Sequence, residues 1–123
     1  MKPSLLENRR ILVVEDDYMI AQETQFDLEQ AGVIVLGPVP SVNEALALLN
    51  SETALDAAVL DVNLGDEKSF PIAKALQAKS VPFLFATGYG SGDIPAEWQQ
   101  ARIVMKPLRL TSVEELLVAS ASA

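Results

Sequence analysis

The sequence has no cysteine and no histidine in 123 residues. Without cysteine, disulfides, thiol nucleophiles and thiolate metal sites are excluded. Without histidine, an imidazole general base, a Ser/His/Asp triad and a phosphohistidine are excluded too. Any chemistry must use carboxylates, lysine, hydroxyls or a metal held by oxygen. Runs of positive charge are also missing. Nine Lys and Arg face 17 Asp and Glu, a formal charge of −8. Phosphate backbones need a basic face, so nucleic acid is not an expected partner. No apolar run approaches the length of a membrane-spanning helix. The opening "MKPSLLENRRILVVEDD" is not a signal peptide, because its short apolar run leads straight into carboxylates. The expectation is a cytoplasmic protein with no membrane partner.

Half of the residues are hydrophobic, enough for a proper core. The length suits one domain over residues 1–123. Five apolar runs stand out: "ILVV" (11–14), "VIVLG" (33–37), "AAVLDV" (57–62), "PFLFAT" (82–87) and "RIVM" (102–105). They are nearly continuous rather than alternating, as in parallel strands buried on both faces. Between them lie helical patterns. "DDYMIAQETQFDLEQAG" stripes Ile20, Ala21, Thr24, Leu28 and Ala31 on one face and stops at Gly32. In "PSVNEALALLN", Ser41 and Glu44 form a capping-box pattern. "KSFPIAKALQAKS" and the terminal "TSVEELLVASASA" supply two more helices. "GSGDIPAEWQQ" is rich in breakers, and a short or irregular fourth helix is expected there. Strand and helix alternate five times. The expected fold is α/β: a flavodoxin-like, doubly wound (βα)5 parallel sheet.

In open α/β sheets, ligands sit beyond the carboxyl ends of the strands. The first strand is followed by Glu15, Asp16 and Asp17, and the third ends at Asp61, two residues before Asn63. The fourth ends at Thr87, and Lys106-Pro107 follows the fifth. Several carboxylates at one edge must take up protons or share a cation. Oxygen ligands alone favour a hard ion such as Mg²⁺, which also binds phosphate oxygens. Carboxylate nucleophile, metal, lysine and hydroxyl together fit an aspartyl-phosphate site. If the first-strand acids meet Asp61, those strands are neighbours, and the strand order is 2-1-3-4-5.

In "ILVVEDD", "LDVNL", "FATG" and "MKP", taken in order, the chain resembles a response-regulator receiver domain over essentially its whole length. "PFLFATGYG" further resembles the FATGUY subgroup, associated with alphaproteobacterial stress signalling. The resemblance implies that Asp61 is the phosphoacceptor and that Asp16 ligates Mg²⁺ directly. Glu15 acts mainly through metal-bound water, and Asn63 offers its backbone carbonyl to the metal. Thr87 binds a phosphoryl oxygen and shifts on phosphorylation, Lys106 pairs with the phosphate, and the Lys106-Pro107 bond is cis. The implied donor is a phosphohistidine on a sensor histidine kinase or a histidine phosphotransfer protein. The implied output is contact with another protein or phosphate shuttling, by a monomer or a weak phosphorylation-dependent dimer. Such a protein catalyses its own phosphoryl transfer and aspartyl-phosphate hydrolysis and turns over no separate substrate.

The sequence departs from the common receiver in one respect. Many receivers carry an aromatic residue three positions before the lysine, where this chain has Ile103. Tyr89, two residues past Thr87, is the candidate replacement switch and a candidate shield for the phosphate. Tyr89 and Trp98 each fit core packing or a partner surface equally well. A haloacid-dehalogenase-type phosphatase is disfavoured, because Asn63 stands where that chemistry needs an acid. A flavodoxin-like nucleotide binder is disfavoured because Glu15, Asp16 and Asp17 would repel phosphate. A receiver-fold binding module that is never phosphorylated is the alternative left open.

Overall fold

The computed structural model describes residues 5–51, 54–88 and 94–121. In chain order the elements are β1 (Arg10–Val14), α1 (Tyr18–Gln30), β2 (Ile34–Val39), α2 (Val42–Asn50) and β3 (Ala57–Asp61). Two short strands follow, β4 (Asn63–Leu64) and β5 (Glu67–Lys68), then α3 (Phe70–Ala78) and β6 (Phe83–Thr87). A 3-10 turn (Ala96–Trp98), β7 (Arg102–Met105) and α4 (Leu110–Ala121) complete the described chain.

The five apolar runs form one parallel sheet in the order β2-β1-β3-β6-β7. Counting only these five, the order is 2-1-3-4-5, the flavodoxin-like arrangement. Alternation along each strand builds two cores. Leu12, Val14, Ala58, Leu60 and Phe85 pack with Ala45 and Leu49 of α2 and Ile72 and Leu76 of α3. Ile11, Val13, Val59, Leu84 and Ala86 pack on the other face with Leu28 of α1 and Val113, Leu116 and Leu117 of α4. A strand covered on both faces needs apolar residues at every position. The first four residues of β3, Ala57 to Leu60, are accordingly apolar and buried, and Asp61, also buried, ends the strand.

The helix starts follow their caps. Asp17 accepts from the Ile20 N–H at 3.0 Å and begins α1. The Ser41 hydroxyl accepts from the Glu44 N–H at 3.2 Å and donates to the Glu44 carboxylate at 3.1 Å. That is a capping box turned slightly, since Glu44 reaches the hydroxyl rather than the backbone N–H. On α1, Ala21 and Leu28 are buried, whereas Ile20 is 37% exposed and turns toward the cleft described below.

Where a fourth helix was expected to be short or irregular, the described residues hold only the 3-10 turn. Trp98 resolves as core. Its ring stacks on Phe70 (6.4 Å, 9°) and meets Phe83 and Phe85 edge-on at 6.0 and 6.1 Å. Tyr89 lies outside the described residues. No helix of the described residues is long and apolar enough to cross a membrane.

Candidate functional site

The carboxyl ends of β1, β3, β6 and β7 bring the predicted residues to one edge. The Glu15 N–H donates to Val39 O at 3.0 Å, which continues the β1 ladder by one residue and turns the Glu15 side chain inward. Glu15 is 6% exposed and Asp61 7%, while Asp16 and Asp17 are exposed. The Asp17 N–H donates to Glu15 Oε2 at 3.2 Å, and the Asn63 N–H donates to Asp61 Oδ1 at 3.3 Å. Thr87, buried at 3% exposure, ends β6 opposite Met105. Its carbonyl accepts from the Lys106 N–H at 2.8 Å, which aims the lysine along the sheet edge.

Lys106 joins the two buried acids. Its Nζ donates to Glu15 Oε1 at 2.6 Å and to Asp61 Oδ2 at 3.0 Å. Glu15, Asp16 and Asp61 each offer a carboxylate oxygen within 4.8 Å of the others. Three carboxylates against one ammonium leave this corner net negative. Burial, more than this charge, sets the titration of Glu15. Burial pushes its carboxyl up, the Asp61 carboxylate adds to the push, and Lys106 and the Asp17 N–H only partly offset it, so the pKa reaches about 7. For Lys106, burial pulls the ammonium pKa down, but the bonds to Glu15 and Asp61 outweigh it and the net shift is upward.

These residues line a cleft of about 430 Å³ whose walls include Asp16, Asp61, Asn63, Gly88 and Lys106. An all-oxygen donor set with an unbalanced negative charge fits a hard divalent cation better than a soft one. A larger hollow of about 500 Å³ lies at the other end of the strands, beside Pro82, Phe83 and Arg102, and contains no carboxylate.

The family model for the response regulator receiver domain matches residues 11–117. The chain belongs to the response regulator receiver family. Among solved structures, this receiver is 37% identical to SdrG from Sphingomonas melonis Fr1, with a TM-score of 0.78 over 93% of this chain and 97% of that one. It is 36% identical to SdrG in its BeF3-activated conformation, from Pseudomonas melonis Fr1, with a TM-score of 0.73 over 93% and 96% of the two chains. A CheY-like receiver domain protein from Methanospirillum hungatei JF-1 is 26% identical, with a TM-score of 0.81 over 94% and 98%. Comparison with curated proteins gives no significant match.

Two features were not read from the sequence. One is the antiparallel hairpin of β4 and β5, which pairs Asn63 with Lys68 and Leu64 with Glu67 directly after Asp61. Its signal was present: Gly65-Asp66 is a two-residue hairpin turn, and Gly65 has φ 68°. The other is a second cis peptide, Gly37–Pro38, besides Lys106–Pro107.

Proposed function

We propose that this receiver takes a phosphoryl group onto Asp61 from a phosphohistidine on a sensor kinase or phosphotransfer protein. The observation that carries the reading is the part-buried Glu15–Lys106–Asp61 bridge at the carboxyl edge of the sheet. In the transfer, an Asp61 carboxylate oxygen forms the new bond to phosphorus. The bond from phosphorus to the donor nitrogen breaks, and its electron pair stays on the imidazole. Lys106 is the point charge that accompanies the developing phosphoryl oxygens, and the Thr87 hydroxyl is the donor for one of them. Glu15, Asp16, Asp61 and the backbone carbonyl of Asn63 would hold Mg²⁺. Bound there, Mg²⁺ supplies charge neutralisation for the phosphoryl oxygens.

The relative with a BeF3-activated conformation supports this chemistry, since beryllofluoride on a carboxylate mimics an acyl phosphate. The motif "PFLFATGYG" in this chain supports the finer placement in the FATGUY subgroup. The reading extends to a single-domain regulator whose output is protein contact or phosphate shuttling. Two-dimensional amide NMR tests it. Beryllofluoride with Mg²⁺ should move the Thr87 and Lys106 amides of the wild type and leave Asp61→Asn unchanged. Identical responses of the two proteins would reject Asp61 as the acceptor.

A further inference from the structure

The hairpin that follows Asp61 forms one wall of the cleft, and its placement is over-determined. The Ser69 N–H donates to Val62 O at 3.1 Å and closes the hairpin's base. The Glu67 carboxylate accepts from the Val42 N–H at 3.2 Å, fastening the arm to the first turn of α2. At the tip, a side chain on Gly65 would meet Asp16 Oδ2 at 3.9 Å, so the turn crosses close to the cleft mouth. The third tether is inside the hairpin. Asn63 and Lys68 are direct cross-strand partners, and Lys68 Nζ donates to the Asn63 side-chain carbonyl. Asn63 lines the cleft beside Asp61, whereas Lys68 stands outside it on the solvent side.

A free asparagine side chain samples several rotamers, and each opens or closes a different share of the space above Asp61. A bond from an ammonium to its amide carbonyl removes that freedom. Asn63 is held at its backbone by Asp61 Oδ1 and at its side chain by Lys68. We infer that Lys68 is a positioning residue that fixes the Asn63 side chain as a wall of the phosphoryl cleft and thereby lengthens the life of the aspartyl phosphate. The inference rests on the reading of Asp61 as phosphoacceptor. In the step affected, the oxygen of water forms a bond to phosphorus. The bond from phosphorus to the Asp61 oxygen breaks, and its electron pair stays on the carboxylate. The protons of water leave with inorganic phosphate and solvent. Lys68 touches none of these atoms; it limits the approach of water by holding Asn63.

The test follows phosphate loss after loading with acetyl phosphate and Mg²⁺, by intact mass against time. Lys68→Met should lose phosphate roughly three to ten times faster than wild type, the net scale of one ordinary solvent-exposed hydrogen bond. Lys68→Arg, which keeps a cationic donor, should recover most of the lifetime. The double variant Asn63→Ala/Lys68→Met should decay like Asn63→Ala alone, because Lys68 acts through Asn63. A purely structural role would not produce that non-additivity. The Asn63 side-chain amide gives a second readout that needs no phosphate. Its two proton resonances should shift in Lys68→Met while thermal stability stays within a degree or two. A Lys68→Met protein that decays at the wild-type rate overturns the inference and leaves Asp61 as acceptor intact. An adduct that Asp61→Asn retains in full would instead overturn the phosphoacceptor reading, and the inference with it.

Discussion

Glu15 is the residue whose titration reports most on the site. Its carboxyl ordinarily loses its proton near 4.5, but burial and the neighbouring Asp61 raise that to about 7. A raised carboxyl contributes stability that is fully present below 4.5 and is lost as pH rises through 7. A cation changes the sign of the effect, because it binds the ionised form and must displace the proton. Mg²⁺ affinity should therefore rise by up to about tenfold per pH unit below neutrality and level off above it. Calorimetric titrations at pH 6, 7 and 8 check this, and a flat profile would mean that Glu15 does not serve the metal. The role of Lys106 was only half legible. Its place after an apolar strand marked it as a site residue. Its bonds to both Glu15 and Asp61 join positions 91 and 45 residues away, which no local pattern encodes.

Among the elements, those buried on both faces were the most legible. β1, β3 and β6 sit inside the sheet, so their sequences are continuous apolar runs with abrupt ends, and the ends mark the site. β2 runs further than its apolar stretch, through Gly37-Pro38 to Val39. As an edge strand it pairs only with β1, and the register slips between Leu12 and Val14 opposite that dipeptide. Proline is tolerated in such a place. The β4–β5 hairpin has two-residue strands, too short for any periodic signal. The fourth connection was legible as a broken helix, but Trp98 was not legible as core. Only the fold shows Phe70, Phe83 and Phe85 converging on it. Ile103 packs half-buried against the same cluster. Aromatic packing thus holds the 3-10 turn in place. Trp98→Ala should lower unfolding stability by about 3–5 kcal/mol, the usual cost of truncating a core aromatic. Urea unfolding followed by circular dichroism measures it; a loss below about 1 kcal/mol would place the ring outside the core.

For the molecule as a whole, topology makes the site possible. The order β2-β1-β3-β6-β7 sets the acid-bearing β1 beside the Asp61-bearing β3 and carries Thr87 and Lys106 outward in sequence. Parallel strands place all four ends at one edge, and the helices on both faces keep that edge open. That edge also holds the three-carboxylate cluster; the larger hollow at the opposite end holds none. One measurement tests the central claim directly: intact mass of wild type and Asp61→Asn after incubation with acetyl phosphate, with and without Mg²⁺. A single phosphoryl adduct is predicted on wild type with Mg²⁺, and on neither protein otherwise. An equal adduct on Asp61→Asn, or one indifferent to Mg²⁺, would contradict the account.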